Sequence, residues 1–395
     1  MASATDSPLA VPFTQDERAR RSFISSLRAH VLDDLSARMR QRYHERIAPA
    51  AARTTGQQAA GGAEVHELLR DDVLFRSYSS IRYNLQEMVF RSVIPGIDRK
   101  LDDLNAAGRA LRESEPKVGL ALDSSFEVPR SVSAIDVHLA PGSYHSEFTA
   151  DDLAAGAVYD NGIQTFAFGQ MGADLDDIGW SMANWLRLRH PDFRPAAILD
   201  GGCTIGHNTL PWAQTFPEAK VHGIDVAAPL LRYAAARAGA RGVPVQFTQM
   251  SVTKLDFPDE SFDVVFSSML LHELPLRDIR AWFREARRVL KPGGLLLNME
   301  LPPNSSLEPY DQFYLDWDCY YNNEPYYKPF RDQDYRQLCT AAGFSADAFV
   351  EITVPRYTYM DEAQFSQAIA GEPVFDHQTG RLSSGIRWYG FGSWK

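Results

Sequence analysis

Cysteine is scarce in this chain: three residues out of 395, Cys203, Cys319 and Cys339, stand far apart without the paired spacing of a metal knuckle. An odd, sparse set excludes a disulfide framework and reads as reduced thiols in a cytoplasmic protein. Long apolar runs are also missing, so no membrane span is expected. The opening MASATDSPLAVPF has neither a basic start nor an apolar stretch of signal length, so no secretory signal is expected either. Positive charge is in the minority, with 40 Lys and Arg against 51 Asp and Glu and a formal net charge of -11. That balance argues against a surface that tracks nucleic-acid phosphates. No internal repeat is visible. What the chain does have is 45% hydrophobic residues, enough for a large core in one big domain or two.

Along the chain, residues 1–12 are small and polar and read as a disordered lead-in. Residues 14–47 carry Phe23, Ile24, Leu27, Val31, Leu35 and Met39 at helical spacing, up to a break at Pro49. A second helix is predicted over 64–91 and a third over 97–111, with 114–129 as a connection. This gives a helical N-terminal domain over 1–130, either a packing or dimerisation cap (a homodimer through these helices) or a wall of the substrate pocket. The weak alternation over 131–139 reads as an edge strand, and 149–152 as a helix start on a Thr N-cap. A helix is predicted over 174–189. From residue 197 strand and helix alternate, with strands at 197–199, 220–224, 245–248, 262–267 and 295–299. Two more, at 349–354 and 387–392, form an antiparallel edge pair. The expected fold is α/β: a doubly wound, mostly parallel, seven-stranded Rossmann-like sheet over 131–395, with an aromatic-rich insert at about 302–331.

The stretch AILDGGCTIGHN, residues 197–208, is where a buried strand hands over to a helix across a ligand crevice. A dinucleotide fingerprint fails here in both registers: starting at Gly201 puts Cys203 on the middle glycine, and starting at Gly202 puts Thr204 and His207 in glycine places. Asp200, at the strand end, would repel a phosphate but accept a hydrogen bond from an ammonium group. Asp225 ends the next strand, where an acidic residue takes ribose hydroxyls.

ILDGGCTIG, VHGIDVAAPLLRYA, LDFPDESFDVV and LKPGG occur in this order and spacing, and in them the chain resembles the class I S-adenosylmethionine-dependent methyltransferases, small-molecule group. The resemblance covers residues 198–299 strongly and 332–394 more weakly. It implies S-adenosylmethionine as cofactor, with Asp200, Gly202, Cys203, Thr204 and Gly206 around its methionine part and Asp225 and Val226 at ribose and adenine. Ser251 would meet the adenine amine, with Val252 beside it in the cofactor site, and Ser267 and Ser268 would face the reacting methyl. Thr204 stands where the family usually has glycine, and Ser251 where it usually has an acid. A neutral hydroxyl is a weaker partner for the amine than a carboxylate.

Methyl transfer to oxygen or carbon asks for in-line positioning, exclusion of water and removal of a proton. His272, in LLHELP, is the first candidate for the base, against a reading in which it packs and caps its loop; Glu273 is the second. Tyr159, in VYDNG, is a third residue expected near the site, with Tyr144 and His145 upstream. The aromatic rings between 310 and 330 suit a hydrophobic or aromatic small-molecule acceptor, or a seam with the N-terminal helices. No metal is expected: Asp174, Asp176 and Asp177 cluster at a helix start, where acids offset the helix dipole. Two other uses of the fold compete with methyl transfer: a cyclisation or rearrangement that keeps the cofactor intact, and non-catalytic binding.

Overall fold

The computed structural model describes residues 7–149 and 152–395 of the chain. Eight strands form one sheet: β1 (Gly119–Ala121), β2 (Ala197–Gly201), β3 (Lys220–Asp225), β4 (Gln246–Gln249), β5 (Phe262–Ser268), β6 (Leu290–Glu300), β7 (Phe349–Val354) and β8 (Trp388–Trp394). Their order is β1-β4-β3-β2-β5-β6-β8-β7. β1 to β6 run parallel, and β8 is antiparallel to both of its neighbours. The chain enters the middle at β2, moves out to β3 and β4, then crosses back to β5 on the other side. That reversal opens a crevice at the carboxyl ends of β2 and β5, where the connections diverge.

The apolar runs of the central strands divide between the two faces of the sheet, as the two-residue side-chain period requires. Ile198, Val264, Phe266, Leu295 and Leu297 bury into one core. Leu199, Val265 and Leu296 bury into the other, under the helix Leu276–Val289. The first core does not stop at the sheet. It runs on without a break through Ile24, Val31, Tyr78 and Val89 of the N-terminal helices.

Several local features depart from the sequence reading, each for a physical reason. The sheet has an eighth strand because residues 119–121 of the predicted connection pair with β4. Residues 7–12 are not a disordered lead-in: Leu9 and Val11 are buried, as is Phe13 just beyond. Residues 1–6 lie outside the described residues. Thr14 starts the first helix (Gln15–His30) in a reciprocal capping box with Glu17. That helix does not end at Pro49. It continues through two π turns, Val31–Leu35 and Tyr43–Ile47, to Ala48–Thr55, and the second π turn sets Pro49 at a first-turn position that needs no N–H donor. The second predicted helix is two, Gly62–Leu69 and Val73–Arg91, because Asp72 caps the latter through the Leu74 amide at 2.9 Å. Residues 131–139 form no strand but a helical turn (Arg130–Ser133) and a 3-10 turn (Val137–Leu139), and Val132, Ile135 and Val137 among them line a cavity. The predicted start at 149–152 falls partly on residues 150 and 151, outside the described residues. The helix begins at Ala154, and Asp152 rather than Thr149 receives the amides, those of Thr149 and Ala154.

Candidate active site

One cavity lies over the carboxyl ends of the central strands, bounded on one side by the β2 and β3 ends and on the other by helices from both ends of the chain. Its strand-end side is built largely from backbone. Gly202 sits at φ +72, a left-handed conformation that favours glycine, and a Cβ there would push on Leu270 Cδ1 at 2.7 Å. The Gly202 amide donates to Ile224 O at 2.8 Å and the Cys203 amide to the same oxygen at 3.0 Å, which ties the turn to β3. Thr204 takes a left-handed conformation (φ 47), and its amide donates to Asp225 Oδ2 at 3.0 Å. Asp225 Oδ1 accepts the Ala227 amide at 2.9 Å. Burial raises the Asp225 carboxyl, and the amides of Ala227, Thr204 and Val226 oppose that rise.

Asp200 is buried beneath this wall and is not a lining residue. Its Oδ2 accepts the Thr209 hydroxyl at 2.6 Å, and burial, assisted by the Asp225 charge, pushes its carboxyl up to about 7. Cys203 and Gly206 also lie behind the wall. Cys203 is packed toward Gly223, and burial pushes its thiol up, while Gly206 faces Phe247 and Ala234. Ser267 is fully buried on Asn298 Oδ1 at 2.8 Å, and Ser268 accepts Asn208 Nδ2 at 3.2 Å; neither lines the cavity. Gly202, Thr204, Asp225, Val226, Ser251 and Val252 do line it. Ser251 shares a hydrogen bond with Thr253 at 2.8 Å.

Facing this wall is a cluster of imidazoles and carboxylates. His272 Nδ1 lies 2.6 Å from Glu300 Oε2, both side chains buried. Burial works against the ring's charge, but Glu300, with Glu273 and Glu324, outweighs it and raises His272 to about 10. Burial and the Glu324 charge push Glu273 up to about 7, against the pull of His272 and His138. His138 completes the group: its Nε2 lies 2.7 Å from Glu324 Oε1 and 3.9 Å from Glu273 Oε1, and its Nδ1 lies 2.7 Å from the Tyr144 hydroxyl. Although burial opposes it, the His138 bond holds Glu324 below the usual carboxylate range. His138, Glu273 and Glu324 place a ligating atom each within 4.8 Å of one another, a spacing a divalent cation could use. The direct 2.7 Å contact is that of an acid–imidazole hydrogen bond. By contrast, Asp174 pairs with Arg241, Asp176 accepts Trp180 Nε1 at 3.1 Å, and Asp177 accepts Trp388 Nε1 at 2.6 Å.

Tyr159 lines the cavity between the two sides, its ring 4.9 Å from Tyr144 and 5.5 Å from His207. Burial raises its phenol, so it stays protonated, and contact with Thr204 works the other way. The aromatic segment divides its labour. Tyr314 and Tyr327 line the cavity, whereas Phe313, Trp317 and Tyr321 pack onto the N-terminal helices: Phe313 against Phe75 at 5.5 Å, Trp317 against His66 at 4.1 Å, Tyr321 against Tyr78 at 6.1 Å. Three further lining residues, Arg28, Arg82 and Arg381, belong to none of the sequence motifs. For two of them a signal exists. Arg28 and Arg82 occupy buried-stripe positions of their helices, four residues after Ile24 and Tyr78, where a cation is out of pattern. His138 and Glu324 carry no such mark.

The family description "Methyltransferase domain" matches residues 198–294. The chain is similar to the demethylmenaquinone methyltransferase of Thermus thermophilus, 37% identical over 109 residues, covering 28% of this chain and 49% of that protein. It is similar to the malonyl-[acyl-carrier protein] O-methyltransferase of Hahella chejuensis, 32% identical over 162 residues, covering 39% of this chain and 55% of the relative. It is also 33% identical over 140 residues to the erythromycin 3''-O-methyltransferase of Saccharopolyspora erythraea, covering 35% and 45% of the two chains. The chain thus spans about half the length of these relatives. No helix among the described residues is long and apolar enough to cross a membrane. With the doubly wound sheet and the glycine turn between Asp200 and Asp225, these matches identify residues 198–294 as the core of a class I S-adenosylmethionine-dependent methyltransferase domain.

Proposed function

We propose that this chain is an S-adenosylmethionine-dependent methyltransferase whose acceptor is a small molecule with an apolar body, methylated on oxygen or carbon. What carries the reading is that one cavity is walled by the glycine turn and Asp225 on one side and by an acid–imidazole cluster on the other. The residues fit the cofactor: Gly202 turns the chain at φ +72 with no side chain between backbone and cavity, and Asp225, at the end of β3, has acceptor capacity beyond its backbone amides. Asp200 acts from behind, orienting the turn through Thr209. When bound, the cofactor supplies a methyl group on a sulfonium, an electrophile that needs no further activation.

The chain's own residues then have three tasks. Val132, Ile135, Ile163 and Leu230 offer an apolar bed that holds the acceptor and excludes water. Glu273, held near neutrality, takes the proton from the acceptor as its nucleophile is uncovered. His272 is charged at neutral pH through Glu300, so it serves as the cationic partner that keeps Glu273 from being pushed still higher. Tyr159, protonated and against Thr204, closes the space between the two sides.

The test is calorimetry of the full chain with S-adenosylmethionine and S-adenosylhomocysteine, followed by transfer of a labelled methyl group to a panel of phenols, carboxylates and enols. Binding with labelled product and stoichiometric S-adenosylhomocysteine supports the reading. Product without S-adenosylhomocysteine would replace methyl transfer with rearrangement, and absence of binding would overturn the cofactor site.

A further inference from the structure

Away from the strand ends, three guanidinium groups converge on the cavity. Arg28, Arg82 and Arg381 all line it, and they are 0%, 1% and 7% exposed. Arg28 and Arg82 share one acceptor, Gln86 Oε1, at 2.9 Å each. Arg381 lies over the ring of Tyr314 at 4.0 Å, and the Tyr314 hydroxyl meets that of Tyr78 at 3.1 Å. Asp318, 3.4 Å from Arg82 Nη2, feels all three cations, while Glu324 also feels Arg82, and Asp311 and Asp33 also feel Arg381. The other acids nearby are engaged elsewhere: Glu324 by His138 at 2.7 Å, Asp311 by Arg40, and Asp33 by the Ser384 amide. Because three of these acids are already shared with His138, Arg40 and the Ser384 amide, the buried cations outnumber the carboxylates left to them, and a buried charge without a full partner loses its hydration uncompensated.

The hydrogen bonds point the same way. Each guanidinium keeps a buried N–H without a partner among the described residues: Arg28 Nη2, Arg82 Nε and Arg381 Nε. Their other donors are fixed: Arg28 Nε on Phe166 O at 2.9 Å, Arg82 Nη2 on Asn322 Oδ1 at 2.9 Å, and Arg381 Nη2 on Ser36 Oγ at 2.9 Å. The three side chains are therefore held in place with spare donors. Burial and the neighbouring Arg82 also act against the Arg28 charge, a cost that an incoming anion relieves.

We propose that Arg28, Arg82 and Arg381 form an anion subsite that anchors a carboxylate or phosphate group on the acceptor, where the N-terminal helices border the cavity. The acceptor then has an apolar body, an anionic end held by the arginines, and a nucleophile facing Glu273. Guanidinium groups recognise both oxyanions through the same charge-assisted geometry. This deepens the proposed function and depends on it only for the word acceptor, since the anion site stands on the arginines themselves.

The experiment measures anion binding to the full chain by calorimetry and thermal shift, with and without S-adenosylhomocysteine. The probes are inorganic phosphate and a monocarboxylate such as benzoate, at ionic strength matched with chloride. Wild type is expected to bind at least one probe and to gain thermal stability from it. In Arg82→Gln and Arg381→Gln the affinity falls roughly tenfold to a hundredfold, the loss of a charged hydrogen bond. Should either glutamine variant fail to fold, Arg82→Lys and Arg381→Lys keep the charge and remove the fork, and a drop in affinity is again expected. Preference for phosphate or for benzoate tells which oxyanion the acceptor carries. Equal binding by wild type and variants, or none by wild type to either probe, overturns the subsite. Loss of S-adenosylhomocysteine binding alone would instead count against the cofactor reading and leave the anion result standing.

Discussion

At the strand-end side of the cavity the wall is backbone, held by amides on Ile224 O and on Asp225, within one run of residues from 200 to 227. At the far side the wall is long side chains, Arg28, Arg82, His138, Glu324 and Arg381, drawn from positions more than three hundred residues apart. Backbone walls are set by strand register and by left-handed turns that favour glycine; side-chain walls are set by tertiary packing and can be altered one group at a time. The first suits a ligand that does not change, and the second suits a ligand that distinguishes one enzyme from another.

The largest effect should come from breaking the backbone wall. Gly202→Val adds a branched Cβ at φ +72, in the path of Leu270, and combines left-handed strain with a steric block. Binding of S-adenosylhomocysteine should fall below detection by calorimetry while anion binding persists; retained cofactor affinity would mean that this turn is not the cofactor's cradle. Next in size is Glu273→Gln. A lost general base lowers kcat by about 10²–10⁴-fold. Wild-type kcat/KM should rise with pH through about 7 as Glu273 loses its proton, and the variant should lose that limb. Because the folded pKa lies above the ordinary 4.5, Glu273 favours the folded state fully below pH 4.5, and that contribution is lost as pH rises through 7. A smaller change sharpens the comparison from the packing side. Phe313→Ala, which empties the space against Phe75, should cost about 3–5 kcal/mol in denaturant unfolding. It should weaken anion affinity more than cofactor affinity, since its helix carries Tyr314 and Asp318. Equal losses at both ends would show that the two walls are not independent.

How much of this could be read from the chain follows the same division. The strands at 197–201, 220–225 and 262–268 announce themselves because a strand buried on both faces is a short apolar run ending in small residues. The edge pair β7 and β8 is legible for a similar reason. β1 is not, because three residues carry too little pattern to compete with a loop reading. The apolar residues of 131–139 were misleading because a cavity lining and a half-buried strand leave the same alternation. On the site, the local constellation around Asp200 and Asp225 was readable as a unit, although burial of Asp200 behind Thr209 was not. The cluster of Glu273 with His138 and Glu324 could not be seen, since the partners meet only after residues 138, 273 and 324 have been folded together. Arg28 and Arg82 were there to be noticed, as charges on apolar stripes.

The unbroken core that runs from Ile198 through Val89 to Ile24 has an evolutionary consequence. Enzymes built from separable segments can trade them, but among the described residues one core joins the N-terminal helices to the sheet, so exchange of the helical part would have to rebuild that core as well. Cutting near residue 130 would strip the cover from Phe313, Tyr314 and Tyr321 and leave the helix Pro309–Asn322 with a raw apolar face. Single replacements around the cavity disturb less of that shared core than exchange of the helical part would, and so are the cheaper route to new chemistry on this fold.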